Sequence, residues 1–282
     1  MFRLDRFLTL YLAMPIIRKW NISNKKHIPI LMYHSISDDS LNQNTHPYYD
    51  IVTTPKVFDL HLRILSEKGY QVVNLENLPA IIDDWPSSGK IAVITFDDGY
   101  RDFYLNAYPI LKKYNFTSDV FLPTDFIGES RRRFTSRECL NWNEVKMLRD
   151  DGICFGSHSA SHSKMVNLKR RQIEYELHIS KAIIEDKTGK PVLTFSYPYA
   201  FPEQYADYTY TLKELLINNG YQTCVTTMIG TTCLEDDIYF LKRIPVNRHD
   251  NASMFRAKTE GGYNWVYSLQ LLWKMVFANR KG

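Results

Sequence analysis

Between Ile28 and Asp250 the chain alternates short apolar runs with amphipathic helical periods, and this alternation constrains the fold more than any other feature. The runs "IPILMYH", "YQVV", "IAVITF", "TSDVFLPT", "ICFGSH", "PVLTFSYP", "YQTCVTT" and "IYFLKRIPV" read as strands. Helical periods separate them. In "TPKVFDLHLRILSEKGY" Thr54 caps, Pro55 sits in the first turn, and Phe58, Leu62 and Leu65 share a face. Further helices are expected over Leu75 to Asp84, over "DFYLNAYPILKKYN" with a second segment starting at Pro109, over "NWNEVKMLRDDG" capped by Asn141 or Asn143, and over "YTLKELLINNG". "LKRRQIEYELHISKAIIEDKTG" reads as a long helix with Ile173, Leu177 and Ile184 inward. Such a pattern implies an α/β fold with a mainly parallel sheet. Neither GxGxxG nor GxxxxGK[ST] follows a strand, so no Rossmann or P-loop nucleotide site is supported.

The bulk numbers set weaker bounds. A chain of 282 residues with 44% hydrophobic content is long enough for one large core. A net charge of +4 without a compact basic stripe does not point to nucleic acid; Arg131-Arg132-Arg133 and Lys169-Arg170-Arg171 read as solvated faces. Cys139, Cys154, Cys224 and Cys233 show no CxxC pairing and read as free thiols, which leans toward a reducing compartment, with one disulfide still open.

The two ends differ from the middle. "MFRLDRFLTLYLAMPIIRKW" has an apolar centre with basic flanks, yet it is short for a bilayer span, which takes roughly 20 residues. It lacks the small-residue cleavage site of a signal peptide. It fits an interfacial helix or uncleaved anchor, and equally a helix packed on the domain. In "NWVYSLQLLWKMVFANRKG", Trp265, Leu269, Leu272, Trp273 and Val276 recur at helical spacing before a basic end. We therefore expect an N-terminal extension over residues 1–27, a domain over 28–250 and a C-terminal helical extension over 251–282. The two ends predict contact with a membrane surface, the cytoplasmic side slightly favoured over export; packing of the ends on each other is the other reading.

In α/β barrels and open sheets, functional residues gather where strands end. His34 follows "ILMY", Asp97 and Asp98 follow "IAVITF", His158 and His162 follow "ICFGS", and Tyr199 follows "VLTFSYP". On a helical turn, His158 and His162 would share a face and hold one metal. Two histidines and one aspartate make a three-ligand set with open positions, as catalytic zinc requires. If Asp98 is the third ligand, its charge is compensated, and Asp97 stays ionised to take a proton from the water such an ion binds. Gly99 allows a tight turn close to a ligand.

"TFDDGY", "SHSASH" and "SYPYA", in this order, resemble the NodB-type polysaccharide deacetylases, carbohydrate esterase family 4, over roughly Pro29 to Val246. "NWNEVKML" resembles the family's Trp-bearing helix start, with Trp142. "ILMYHSI" resembles the branch that includes the poly-N-acetylglucosamine deacetylases, where the late Leu-x-His motif moves to the N-terminal side. The resemblance implies a distorted (β/α) barrel of seven strands and hydrolysis of N-acetyl groups on an N-acetylated glycan. It implies Asp97 as catalytic base, His34 as the acid for the leaving amine, and Asp98, His158 and His162 as metal ligands. Tyr199 would offer its backbone N–H to the oxyanion.

Zinc is the expected metal, with nickel or cobalt as alternatives. The family's motif-three Arg is absent, since Phe195 stands at or near its place. Arg243, at another strand end, is expected to pair with Asp97 instead. His249 is a rival to His34 for the acid. His27, His46, His61 and His178 read as surface or helix-face residues. Tyr33, Tyr100, Trp142 and Tyr199 are candidates for stacking on sugar rings. O-deacetylation and a non-catalytic glycan-binding role are the alternatives, and oligomeric state is not legible.

Overall fold

The computed structural model describes residues 3–19, 27–38, 50–83 and 89–278. Eight strands form the main sheet: β1 (Ile30–Tyr33), β2 (Tyr70–Val72), β3 (Lys90–Phe96), β4 (Asp119–Leu122), β5 (Cys154–Ser157), β6 (Thr194–Ser196), β7 (Thr223–Ile229) and β8 (Leu241–Pro245). Every pairing among them is parallel. β8 pairs with β1 (Ile244 opposite Leu31), and β1 pairs with β3 (Leu31 opposite Ile94), so the sheet closes on itself. Seven strands make the closed barrel. β2 lies outside the ring, on the N-terminal half of β3, beside the edge whose C-terminal half is taken by β4. The expected seven-stranded (β/α) barrel is therefore the fold.

Helices occupy the crossovers: α2 (Pro55–Glu67), α3 (Leu78–Asp83), α4 (Tyr108–Lys113), α5 (Trp142–Asp150), α6 (Arg170–Thr188) and α7 (Ala206–Asn218). Their starts follow local chemistry. Thr54 accepts from Val57 N–H at 3.3 Å, and Asn141 forms a reciprocal capping box with Glu144. A π-helical turn, Phe103–Ala107, precedes α4, whose first turn holds Pro109. Proline has no N–H to return to the carbonyl four residues back, so the turn before it widens. Pro15 does the same in α1 (residues 4–19), where Thr9–Ala13 is π-helical.

Alternation along each strand sorts side chains into two layers. Ala92, Ile94 and Phe96 face the helices in the main core. Ile91 and Val93 join Ile30, Phe121, Val225 and Leu241 in a second cluster within the barrel. Continuing by twos, Thr95 and Asp97 on β3 and Arg243 on β8 belong to this interior set, above the apolar layer. Phe195 belongs to the outer core and packs on Tyr221, which is why it contributes nothing to the interior.

After β8 come α8 (Ala252–Thr259) and α9 (Trp265–Ala278). α1 packs on this end of the chain: Tyr263 OH donates to Asp5 (3.1 Å) and Trp265 Nε1 to Thr9 Oγ1 (3.1 Å). Among the described residues, no helix is long and apolar enough to cross a membrane. All four cysteines are free thiols.

Candidate active site

The polar strand ends converge on a cleft of about 450 Å³ at the C-terminal mouth of the barrel, lined by His34, Asp97, Asp98, His158, His162 and Tyr199 together with others named below. Asp97 continues the inward parity of β3 and is 3% exposed. Arg243, with no solvent exposure, meets it with both guanidinium nitrogens, Nη1 to Oδ1 at 2.8 Å and Nη2 to Oδ2 at 2.7 Å. The rest of that guanidinium is also satisfied, by Thr226 O (2.9 Å), Thr95 Oγ1 (3.2 Å) and Ser196 Oγ (3.0 Å). Ser196 Oγ also lies 3.1 Å from Asp97 Oδ1. Burial alone would raise the Asp97 carboxyl; the Arg243 charge and hydrogen bonds, with the neighbouring His158 and His34, together outweigh it and hold the group well below the usual carboxylate range. The structure thus brings together the two residues expected to pair.

Asp98 turns away from its neighbour because the backbone twists between them. Its φ is +71°, a left-handed conformation that non-glycine residues rarely adopt, and Gly99 follows at +58°. A Cβ on Gly99 would come within 2.8 Å of Leu122 Cδ2, so this turn requires glycine for space as well as for φ. The twist aims Asp98 Oδ1 at His162 Nε2 (3.3 Å) and His158 Nε2 (3.6 Å).

The histidines do not sit on a helical turn. They follow β5 on an irregular loop in which Ser159 (φ +62°) and His162 (φ +53°) are both left-handed. The four-residue spacing brings the rings together, centroids 4.7 Å apart, because the loop curls back, not because a helix stacks them. Glu176, from α6, holds the curl. It accepts from Ala160 N (2.8 Å), Ser161 N (2.9 Å) and Ser161 Oγ (2.7 Å). Ser159 Oγ accepts from His162 N at 3.0 Å.

These residues fit a divalent cation. Ligand atoms of Asp98, His158 and His162 all lie within 4.8 Å of one another. His158 Nδ1 lies 2.7 Å from Ser196 O, which assigns the proton to that nitrogen and leaves the Nε2 lone pair facing Asp98. Burial pushes the His158 imidazole down to about 4, favouring the neutral, ligating form.

The remaining expectations divide. His34 points into the cleft, Nε2 3.9 Å from Asp97 Oδ2. His249, the rival, turns to Asp50 (3.2 Å) and is not part of the cleft lining. Tyr199 is left-handed (φ +61°), 46% exposed, and edge-on to His162. Of the aromatic residues expected to stack on sugars, it alone is open. Tyr33 and Trp142 are buried on the core side of their elements, Tyr33 bonding His61 instead, while Tyr100 lines the cleft with only 2% of its surface exposed. His61, expected at the surface or on a helix face, lies on the inner face of α2, fully buried, where it stacks on Phe255 at 4.0 Å. His178 is exposed, His27 is half-buried, and His46 lies outside the described residues.

Three contributors escaped the sequence reading: Ser196, Glu176, and the hairpin Arg133–Phe134 with Arg137–Glu138. Phe134 lies 4.7 Å from the His162 ring and, with Thr135, Ser136 and Arg137, walls one side of the cleft. Parity along "LTFSYP" marks Ser196 as opposite in facing to Phe195. The hairpin has no such signal, since its strands are two residues long.

Comparison with known proteins agrees with this geometry. Residues 85–223 match the family described as "Polysaccharide deacetylase". YxkH of Bacillus subtilis (strain 168), assigned by name to the polysaccharide deacetylases, is 30% identical over 234 residues, covering 83% of this chain and 76% of that protein. A poly-β-1,6-N-acetyl-D-glucosamine N-deacetylase of Staphylococcus aureus (strain N315) is 30% identical over 115 residues, 38% of this chain and 39% of that enzyme. The Streptococcus pyogenes deacetylase PplD, solved with acetate, superposes with a TM-score of 0.73 at 24% identity, over 84% of this chain and 99% of PplD. IcaB from Ammonifex degensii gives 0.67 at 20% identity, over 84% and 97%. The chain belongs to the polysaccharide deacetylase family and is a carbohydrate deacetylase by that membership.

Proposed function

We propose that the protein removes acetyl groups from the nitrogen of an N-acetylated sugar in a polysaccharide or lipid-linked glycan. The observation that supports this most is the pinned carboxylate: Asp97, ionised by a bidentate Arg243, beside His34 and next to a His2Asp ligand set. Amide hydrolysis needs a base for water, charge stabilisation on the tetrahedral oxygen, and a proton for a poor leaving amine. Asp97 takes the proton from the attacking water, and Arg243 and Ser196 keep its carboxylate ionised and oriented. His34, on the neighbouring strand end, donates to the departing nitrogen. The backbone N–H of Tyr199 supports the oxyanion.

Asp98, His158 and His162 would hold the divalent cation, zinc by their donor set, with nickel or cobalt as substitutes. When bound, such an ion supplies Lewis acidity and makes water more acidic.

The test is a panel of N-acetylated and O-acetylated oligosaccharides assayed for acetate and free amine, with Asp97→Asn as control. We expect amine release that falls by at least about 10³-fold in Asp97→Asn. Release of acetate from O-acetylated substrates alone would replace this reading with an esterase. Activity unchanged in Asp97→Asn would refute the assignment of the base.

A further inference from the structure

The helices α1 and α9 present apolar faces to the outside of the molecule. The inward side of α1 is defined by Thr9 and Met14, both buried, and by the contacts of Asp5 and Thr9 with Tyr263 and Trp265. On its other side Leu4 (59%), Tyr11 (67%), Leu12 (52%) and Ile16 (54%) are exposed at helical spacing. α9 is inverted relative to an ordinary surface helix. Gln270 and Lys274 turn inward: Gln270 donates to Thr227 O (2.9 Å), and Lys274 reaches Phe201 O and Glu203, each at 2.8 Å. Beyond Val266, which packs inward, its apolar residues Leu269 (54%), Leu272 (58%), Met275 (53%) and Val276 (45%) turn outward. The two helices meet where Trp265 bonds Thr9.

Charge selects the occupant. Residues 1–20 hold Arg3, Arg6, Arg18 and Lys19 against Asp5, and residues 265–282 hold Lys274, Arg280 and Lys281 with no acid. These stretches carry +6 by sequence in a chain whose total is +4; with Lys274 turned onto Glu203 and Arg3 onto Asp5, the exposed cations at the end of α1 are Arg18 and Lys19. Arg18, at the end of α1, is 72% exposed and makes only a long contact, 3.8 Å, with Glu260. Two copies joined through such surfaces would set like charges face to face. An anionic lipid surface meets both the apolar faces and the cations. Since no described helix can span a bilayer, the geometry is one of lying on the membrane.

We propose that α1 and α9 together dock this protein on an anionic membrane surface, the apolar faces entering the headgroup region and Arg18 and Lys19 meeting lipid phosphates. The proposal stands independently of the glycan chemistry. Its test is co-sedimentation of the full chain with vesicles of phosphatidylcholine alone and of an equimolar phosphatidylcholine–phosphatidylglycerol mixture. We expect binding to the mixed vesicles that weakens when salt rises from about 0.1 M to about 0.5 M. Binding should drop about tenfold in L12E/L272E and about tenfold in R18E/K19E, with both variants melting as the parent does. If L12E/L272E fails to fold, R18E/K19E decides alone. Equal sedimentation with both vesicle types, or undiminished binding in the folded variants, overturns the proposal. So does a dimer in sedimentation velocity that L12E/L272E dissociates, which would assign the faces to a second copy of the chain.

Discussion

Arg243 and Asp119 show how differently the barrel treats buried charge at its two ends. Near the mouth, Asp97 is ionised because a fully buried guanidinium offers two parallel bonds. At the opposite end of β4, Asp119 is equally buried but meets no cation among the described residues; burial pushes its carboxyl well up, and one Leu75 N–H at 3.1 Å does not offset it. A buried ion pair is costly to half-remove, on the order of 3–5 kcal/mol. Arg243→Lys keeps the charge but loses the fork, so we expect kcat to fall by roughly 10²-fold with a modest loss of denaturant stability. Unchanged kcat would show that orientation of Asp97 does not depend on the fork.

His61 makes a second residue-level prediction. Burial lowers its imidazole to about 4, while in the unfolded chain it titrates near 6.5. Its folded value is the lower one, so the unfolded state binds more protons between these limits. The stability it contributes is complete above about pH 6.5 and is lost as pH falls toward 4, by roughly 3 kcal/mol. Urea midpoints across that range should fall more steeply for the parent than for His61→Gln. Parallel slopes would assign the acid sensitivity to other groups.

At the level of elements, the helix of residues 170–188 does more than close a crossover. Its inward apolar residues Ile173, Leu177 and Ile184 are legible as an i, i+4, i+11 pattern, but Glu176 lies among them and looks like a solvated charge. It is instead the clamp on the histidine loop. Glu176→Ala should weaken metal affinity by about 10- to 100-fold, measured by competition with a chelating dye, because the ligands lose the support that holds their loop. Affinity equal to the parent would mean that the left-handed turns at Ser159 and His162 suffice. Strands and helices were legible because their periods are long enough to read. The loop was not, because HxxxH is compatible with a helical turn and with a curled loop alike. The 133–138 hairpin was missed for the related reason that two-residue strands have no period.

For the whole molecule, closure is what makes a site. His34, Asp98 and His158 come from three strand ends and line one cleft, with Arg243 of a fourth strand buried behind Asp97, only because β8 and β3 both pair with β1. A ligand that bridges β3 and the β5 loop should stabilise the entire barrel. Zn²⁺ at about 100 times its Kd adds about 2.7 kcal/mol, roughly 5–10 °C in Tm for a chain of this size. We expect that rise in the chelator-treated parent and its loss in His158→Ala. A rise of equal size in both would place the bound zinc elsewhere.

Read as a string, the chain determines its class, the succession of strands and helices and the residue types at each strand end, because local periodicity and residue type are properties of neighbours in sequence. It also marks Asp97, His34, Tyr199, Arg243, Asp98, His158 and His162 as candidates for the site. Only the tertiary structure decides which histidine faces Asp97, which aromatics stay open to a sugar, and that His61 and Glu176 work inside the molecule. Those outcomes depend on which face each element turns to its partners, and that is set by packing between segments far apart in the chain.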